Sequence, residues 1–253
     1  MSNSAERHWQ NWGKANPYFG VLTDPKFLNR NLNQQSREEF FQSGERHVIH
    51  VNHVIQTRLR PDFQPRRILD FGCGVGRLLI PFAQRAQSVM GIDISPGMLE
   101  QAANNCRERA VNTVQLLPGE ELDRLLPNSF DLVHSYIVFQ HIPVAKGEFL
   151  LRKLINLIAI GGIGVIHLPF SDPRPALRRA VSALRARSNL LHGFINLAQG
   201  KSFSWPMVQM NCYSMNRVFD ILTSSCCSNL FIEFEDHGEI QSAILYFEKK
   251  SAA

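Results

Sequence analysis

At 253 residues, 44% hydrophobic and 19% charged, the chain has the length for one large domain and too much apolar content for disorder. Its net charge of +5, from 27 basic and 22 acidic residues, falls short of the dense basic face of a nucleic-acid binder and speaks against such a partner. No apolar run approaches the roughly 20 residues of a membrane span and the opening stretch has no signal-peptide core, so a soluble cytoplasmic protein without a membrane partner is expected.

Residues 1 to about 35, rich in Trp, Tyr, Phe and Asn, fall outside any regular rhythm and read as an N-terminal arm or lid ahead of a main domain over 36–253. "SREEFFQSGERHVIHVNHVIQTRL" (Ser36 to Leu59) predicts a helix with Val48, Val51, Ile55 and Leu59 on one side. His47, His50 and His53 share helical spacing there, but no nearby Cys or carboxylate completes a metal set, so an exposed flank of satisfied histidines is expected. "RRILDFG" then reads as a buried strand, "RLLIPFAQRA" as a helix and "SVMGID" as a second strand. The next helix starts at a natural N-cap, Ser95, followed by Pro96.

"TVQLLP" continues as a strand, "GEELDRLL" as a short acidic stretch and "FDLVHSYIV" as a strand, and "KGEFLLRKLINLIAI" predicts a helix stopped by Gly161 and Gly162 before "IGVIHLPF". Continuous apolar strands alternating with helices indicate a parallel sheet covered on both faces, an α/β architecture. Residues 171 to 212 interrupt the rhythm as a second candidate lid. Within it, Leu177, Ala180, Val181 and Leu184 fall at i, i+3, i+4 and i+7, which predicts an amphipathic helix docked by that stripe, with Arg178 and Arg185 on one flank. After the helix "SMNRVFDILTSS", the strands "NLFIEFED" and "EIQSAILYFEKK" lie a short turn apart around His237 and Gly238, so the sheet should end in an antiparallel hairpin. The five cysteines (Cys73, Cys106, Cys212, Cys226 and Cys227) have no scaffold spacing and should be reduced.

Chemistry concentrates in "ILDFGCGVGRLL" (Ile68 to Leu79). A strand that runs through a glycine turn into a helix brings backbone atoms and a helix N-terminus to one point with no Cβ in the way. The dinucleotide fingerprint needs a sixth-position glycine, and here that position is Arg77; a P-loop lacks its Gly-Lys-Ser/Thr. The pattern is instead Asp70-x-Gly72-x-Gly74-x-Gly76, and it resembles the class I S-adenosylmethionine-dependent methyltransferases of small-molecule type. "VMGIDISPGML", "SFDLVHSYIVFQHIP" and "IAIGGIGVIHLPF" resemble that family's second motif, fourth motif and Gly-Gly turn, in order, over roughly residues 64 to 170.

The resemblance implies a Rossmann-like seven-stranded, mostly parallel sheet and S-adenosyl-L-methionine as cofactor. It puts Gly72, Gly74 and Gly76 under the methionine part of the ligand, and has Asp70 hold the loop and the ligand amine. Asp93 would accept the ribose hydroxyls, Ile94 and Met98 would flank the adenine, and Glu120 or Glu121 would meet its amine. Ser135 and Gln140 would border the methionine end and the substrate mouth. Asp131, opening its strand, reads as structural. The fourth motif has "HSYI" where enzymes acting on planar amines carry Asn/Asp-Pro-Pro-Tyr, which favours a small-molecule acceptor, methylated on oxygen.

If that oxygen is a hydroxyl, His141 is the candidate general base, with His167 also near the expected mouth. No metal is called for. Trp9, Trp12, Tyr18 and Phe19 are candidates either to close over a sulfonium or to pin the arm to the sheet. Arg178 and Arg185 could pair with an acidic acceptor, against the plainer reading of a solvated basic face. The rivals are an RNA or protein methyltransferase, a catalytically inactive cofactor-binding subunit and, last, a dehydrogenase.

Overall fold

The chain's first regular stretch is helical. In a computed structural model, which describes residues 4–187, 189–198, 200, 205, 210–237 and 240–251, α1 (Ser4–Ala15) and α2 (Pro17–Val21) precede the long α3 (Gln34–Val54). Asn33 starts α3 with a reciprocal cap: its side chain accepts from Ser36 N at 2.9 Å, and Ser36 Oγ accepts from Asn33 N at 2.9 Å. Val48, Val51 and Ile55 are buried as their spacing predicts, and the helix runs out through a π-type turn over Ile55–Leu59.

The alternation follows as β1 (Arg67–Phe71), α4 (Leu79–Ala83), β2 (Ser88–Asp93), α5 (Pro96–Glu108), β3 (Val114–Pro118), β4 (Phe130–Ser135), α6 (Val144–Leu157) and β5 (Ile158–Ser171). Ser95 caps α5 by accepting from Met98 N. After α7 (Ala176–Arg187), α8 (Asn189–Ala198) and α9 (Met215–Ser224), the chain closes with β6 (Cys227–His237) and β7 (Ile240–Lys249). Gly238, which the sequence puts between the two strands, lies outside the described residues.

The seven strands form one sheet in the order β3-β2-β1-β4-β5-β7-β6. The first five are parallel; β7 is antiparallel to β5 and to β6. Strand order reverses between β1 and β4, so a crevice opens at their carboxyl ends, where ligands of open α/β sheets bind. Alternate strand residues face opposite layers. Ile68, Leu132, Val165 and Tyr246 pack with α3, whereas Leu69, Val133, Ile166 and Phe247 pack with α6 and α9.

Two expectations are corrected here and one open alternative is narrowed. The helix before β5 ends at Leu157, not at the glycines: Ile158 is extended and fully buried, and β5 begins there. The glycine pair lies inside the strand, where Gly161 takes φ +76° and the β4–β5 register skips between Phe130↔Ile158 and Leu132↔Ile163. Next, of the two roles open to the arm's aromatics, Trp12, Tyr18 and Phe19 take the pinning one. All three are buried, and Tyr18 Oη donates to Asn105 Oδ1 on α5 at 2.6 Å. The crossing of α1 and α5 depends on Gly13, whose Cβ would meet Ser95 Oγ at 2.2 Å.

The third concerns the insertion. α7 forms, yet Val181 and Leu184 are 43% and 56% exposed, so those two positions do not dock; the side chains of Leu177 and Ala180 lie outside the described residues. The insertion is attached instead through Trp205, edge-on to Trp12 at 5.2 Å, with its carbonyl 2.8 Å from His192 Nε2. Among the described residues, no helix is long and apolar enough to cross a membrane.

Candidate active site

The loop after β1 is tied to β2 by its backbone. Gly72 N and Cys73 N both donate to Ile92 O, at 2.7 and 3.0 Å, and Gly72, Gly74 and Gly76 take φ of +80°, +53° and +88°. In that conformation Gly74 N donates to Asp93 Oδ2 and Ser95 N to Asp93 Oδ1, each at 2.9 Å. One carboxylate therefore holds both the glycine loop and the start of α5. Burial pushes Asp93 up to about 6, against the pull of these backbone donors.

A cavity of about 430 Å³ opens over the loop. Gly72, Gly74 and Asp93 form its floor, and Ile94, Met98 and Glu120 line the far end. Glu121 turns away to an ion pair with Arg124 at 2.8 Å, so Glu120 is the acid that faces the cavity. At the opposite wall, His141 packs on Trp9 with ring centroids 4.7 Å apart. The Gln140 amide, assigned with Nε2 toward His141 Nε2 at 3.0 Å, can only donate, which leaves the His141 proton on Nδ1. Lys146 on α6 and Glu6 on α1, both lining the mouth, pair at 2.8 Å and tie the arm to the domain.

Four other expected residues lie off the cavity. Asp70 is buried, with Oδ1 3.0 Å from His134 Nδ1; Ser135 Oγ donates to Phe71 O at 3.0 Å and clamps β4 to β1; Gly76 faces Ile80 and Ala102; and Gln140 stands behind His141. His167 is 0% exposed on central β5 beneath α3, not at the mouth. Arg178 is exposed, whereas Arg185 turns inward to His192 Nδ1 (3.3 Å) and Asn196 Oδ1 (3.1 Å), so the two do not share an open flank. Asp131 accepts from Arg66 N and Arg67 N at 2.9 Å each, a structural role.

Sequence reasoning missed a polar layer between α3 and the sheet. His134 Nε2 lies 3.1 Å from His47 Nε2, and His47 packs on Tyr136 at 4.0 Å. His47 is therefore turned inward, not on an exposed flank; burial, then His134, keeps it well below the usual histidine range. Only His50 and His53 are exposed, His50 meeting Glu233 at 2.8 Å. Tyr136 and Arg77 carry this layer to the cavity wall. The sequence offered one signal for it, the Arg77 that breaks the dinucleotide fingerprint. Among the described residues no group of three or more His, Cys, Asp or Glu could hold a metal ion.

A methyltransferase-domain family model matches residues 68–162, from β1 through the glycines of β5. Aklanonic acid methyltransferase of Streptomyces sp. (strain C5) is 31% identical over 139 residues, 53% of this chain and 57% of that protein. Nocamycin O-methyltransferase of Saccharothrix syringae is 35% identical over 128 residues, 47% of this chain and 42% of that protein. The chain thus spans about half the length of the curated relatives it matches. Among solved structures, magnesium protoporphyrin IX methyltransferase from Synechocystis PCC 6803, with bound S-adenosylhomocysteine, superposes with a TM-score of 0.64 at 17% identity, covering 97% of this chain and 100% of that one. The [4+2]-cyclase SpnF superposes with a TM-score of 0.61 at 15% identity, covering 100% and 98%.

Proposed function

We propose, from the premise that the chain belongs to the class I S-adenosylmethionine-dependent methyltransferase family, that it transfers a methyl group from S-adenosylmethionine to an oxygen of a small molecule. One observation carries the reading: the Asp93 carboxylate opens onto a cavity floored by glycines at positive φ. The residues fit the cofactor. A carboxylate accepts the two hydrogen bonds that a vicinal diol donates, and at Gly72 a Cβ would collide with Val138 Cγ2 at 2.2 Å. In this reading Asp93 takes the ribose, Ile94 and Met98 sandwich the base, Glu120 meets its amine, and the Gly72 to Gly74 backbone lies against the amino-acid end. Asp70 acts through His134, positioning the polar layer under the loop.

S-adenosylmethionine, when bound, supplies a methyl carbon already activated by its sulfonium, so orientation does much of the work. His141 and Trp9 wall the open side, and His141 is the residue in reach of an acceptor hydroxyl. Its Nε2 lone pair is engaged by Gln140, so accepting a proton requires that hydrogen bond to open. His141→Ala should lower kcat by roughly 10²-fold with cofactor affinity intact. Full activity in steady-state kinetics would leave positioning alone as the mechanism. Of the insertion's arginines, Arg178, exposed on α7, is the one assigned to an acidic acceptor.

Cofactor binding should depend on pH through Asp93. In the free protein this carboxyl titrates near 6, and only the ionised form accepts from both ribose hydroxyls. Binding then favours the charged form, and affinity falls as pH drops through 6. At pH 5 the S-adenosylhomocysteine Kd should be about 10-fold above its value at pH 7.5. A flat profile in calorimetry would remove Asp93 from the ribose.

Methyl-labelled S-adenosylmethionine tests the reaction: label should enter a low-mass organic extract and not RNA or protein. Label in either polymer would contradict the small-molecule reading. A second reading, cofactor binding without methyl transfer, draws on the cyclase among the fold's neighbours. Saturable binding with no label transfer to any fraction would favour it.

A further inference from the structure

Arg77 is only 6% exposed, yet its side chain stands in the cavity wall with the guanidinium carbon 5.7 Å from the Tyr136 ring centre. Its partners are few. Nη1 makes one long hydrogen bond to Ser43 Oγ at 3.4 Å, Nε has no partner, and the group forms no ion pair among the described residues. Asp70 and Glu235 attract it from a distance, and each has a hydrogen bond of its own, Asp70 with His134 at 3.0 Å and Glu235 from Tyr136 Oη at 3.2 Å.

The backbone at Arg77 is fixed by α3, where Gly44 packs so closely that a Cβ would lie 2.1 Å from Arg77 O. The side chain is thus held in place and charged, with no carboxylate in hydrogen-bond contact with it among the described residues. A guanidinium stays ionised in proteins, and a buried charge whose N–H groups lack hydrogen-bond partners is costly. A ligand carboxylate at the cavity wall would satisfy those donors.

We propose that Arg77, beside Tyr136, is the anion-holding residue of the cavity and takes a ligand carboxylate. This rests on the cofactor reading above, and the carboxylate is either that of the cofactor's methionine part or an acidic group on the acceptor. The planar guanidinium fork matches a carboxylate with two parallel hydrogen bonds, and the dry surroundings strengthen them. Tyr136 supports the fork from its ring face. The opposing account is structural: Arg77 merely joins the glycine loop to α3.

Arg77→Met and Arg77→Lys, made in the full chain, separate these accounts. Three probes are titrated by calorimetry: S-adenosylhomocysteine, 5′-methylthioadenosine (the same nucleoside thioether without the amino-acid part), and benzoate added to protein saturated with S-adenosylhomocysteine. If the carboxylate is the cofactor's, Arg77→Met weakens S-adenosylhomocysteine by about 30-fold and leaves 5′-methylthioadenosine unchanged. If it is the acceptor's, S-adenosylhomocysteine binds normally and benzoate binding, present in the wild type, disappears. In both cases Arg77→Lys, which keeps the charge without the fork, falls in between. The ligand-free melting temperature of Arg77→Met is not lowered, since a methionine removes a buried charge whose N–H groups are poorly hydrogen-bonded. The proposal is overturned if neither probe is affected, if 5′-methylthioadenosine weakens as much as S-adenosylhomocysteine, or if the melting temperature of Arg77→Met drops. A wild-type chain that binds none of the nucleosides would overturn the cofactor reading itself, a result distinct from these.

Discussion

Asp93→Ala should weaken S-adenosylhomocysteine binding by about 1 to 3 kcal/mol, roughly 5- to 150-fold in Kd. The loss has two sources. The ribose hydroxyls lose their charged acceptor, and the glycine loop loses the carboxylate that fixes Gly74 N and Ser95 N at 2.9 Å. Asp93→Asn separates the two: its remaining carbonyl can still hold one backbone donor, but its amide presents N–H groups to a diol that needs acceptors. Asparagine should therefore keep most of the ligand-free stability while losing most of the affinity, along with the pH dependence near 6. Calorimetry and thermal melting check both parts. Unchanged affinity in both variants would mean that the ribose lies elsewhere.

Gly74→Val should abolish binding, with a Kd increase beyond 100-fold, while the circular dichroism spectrum stays native. Gly74 sits at φ +53°, a left-handed conformation that costs a β-branched residue on the order of 1–3 kcal/mol. Its Cβ would point at Val21 Cγ2, 2.7 Å away, so valine's branches would fill the space between the loop and the arm. The side chain that the valine meets is Val21 on the arm, outside the sheet, so the sheet can form around the change. Near-normal binding would show that the ligand does not approach the backbone there.

These two positions were legible in the sequence because they belong to a local pattern. A strand, a glycine turn, a helix and an acid at the next strand's end all fall within about 25 residues, and periodicity places each of them. The antiparallel edge was legible for the same reason, since β6 and β7 are separated by too short a link for any other pairing. The polar layer was not. His47 meets His134 across 87 positions and Asp70 meets His134 across 64, and no one-dimensional period records which histidine of a helical trio faces the sheet.

Composition alone does not fix direction. The arm's aromatic content left two roles open, and Trp12, Tyr18 and Phe19 are core residues, whereas of the four aromatics only Trp9 lines the cavity. The α7 stripe had the right spacing for docking, yet Val181 and Leu184 are exposed, and the insertion is fastened through Trp205. Periodicity finds the helix, and the surface against which it packs is set elsewhere in the chain.

The central claim is that the cavity over Gly72, Gly74 and Asp93 is an S-adenosylmethionine site and not a dinucleotide site. Calorimetric titration of the full chain with S-adenosylhomocysteine and, separately, with NAD tests it most directly. The account predicts saturable binding of S-adenosylhomocysteine at a single site, lost in Gly74→Val, and no binding of NAD. Binding of NAD, or a folded chain that gives no heat with S-adenosylhomocysteine, would contradict it.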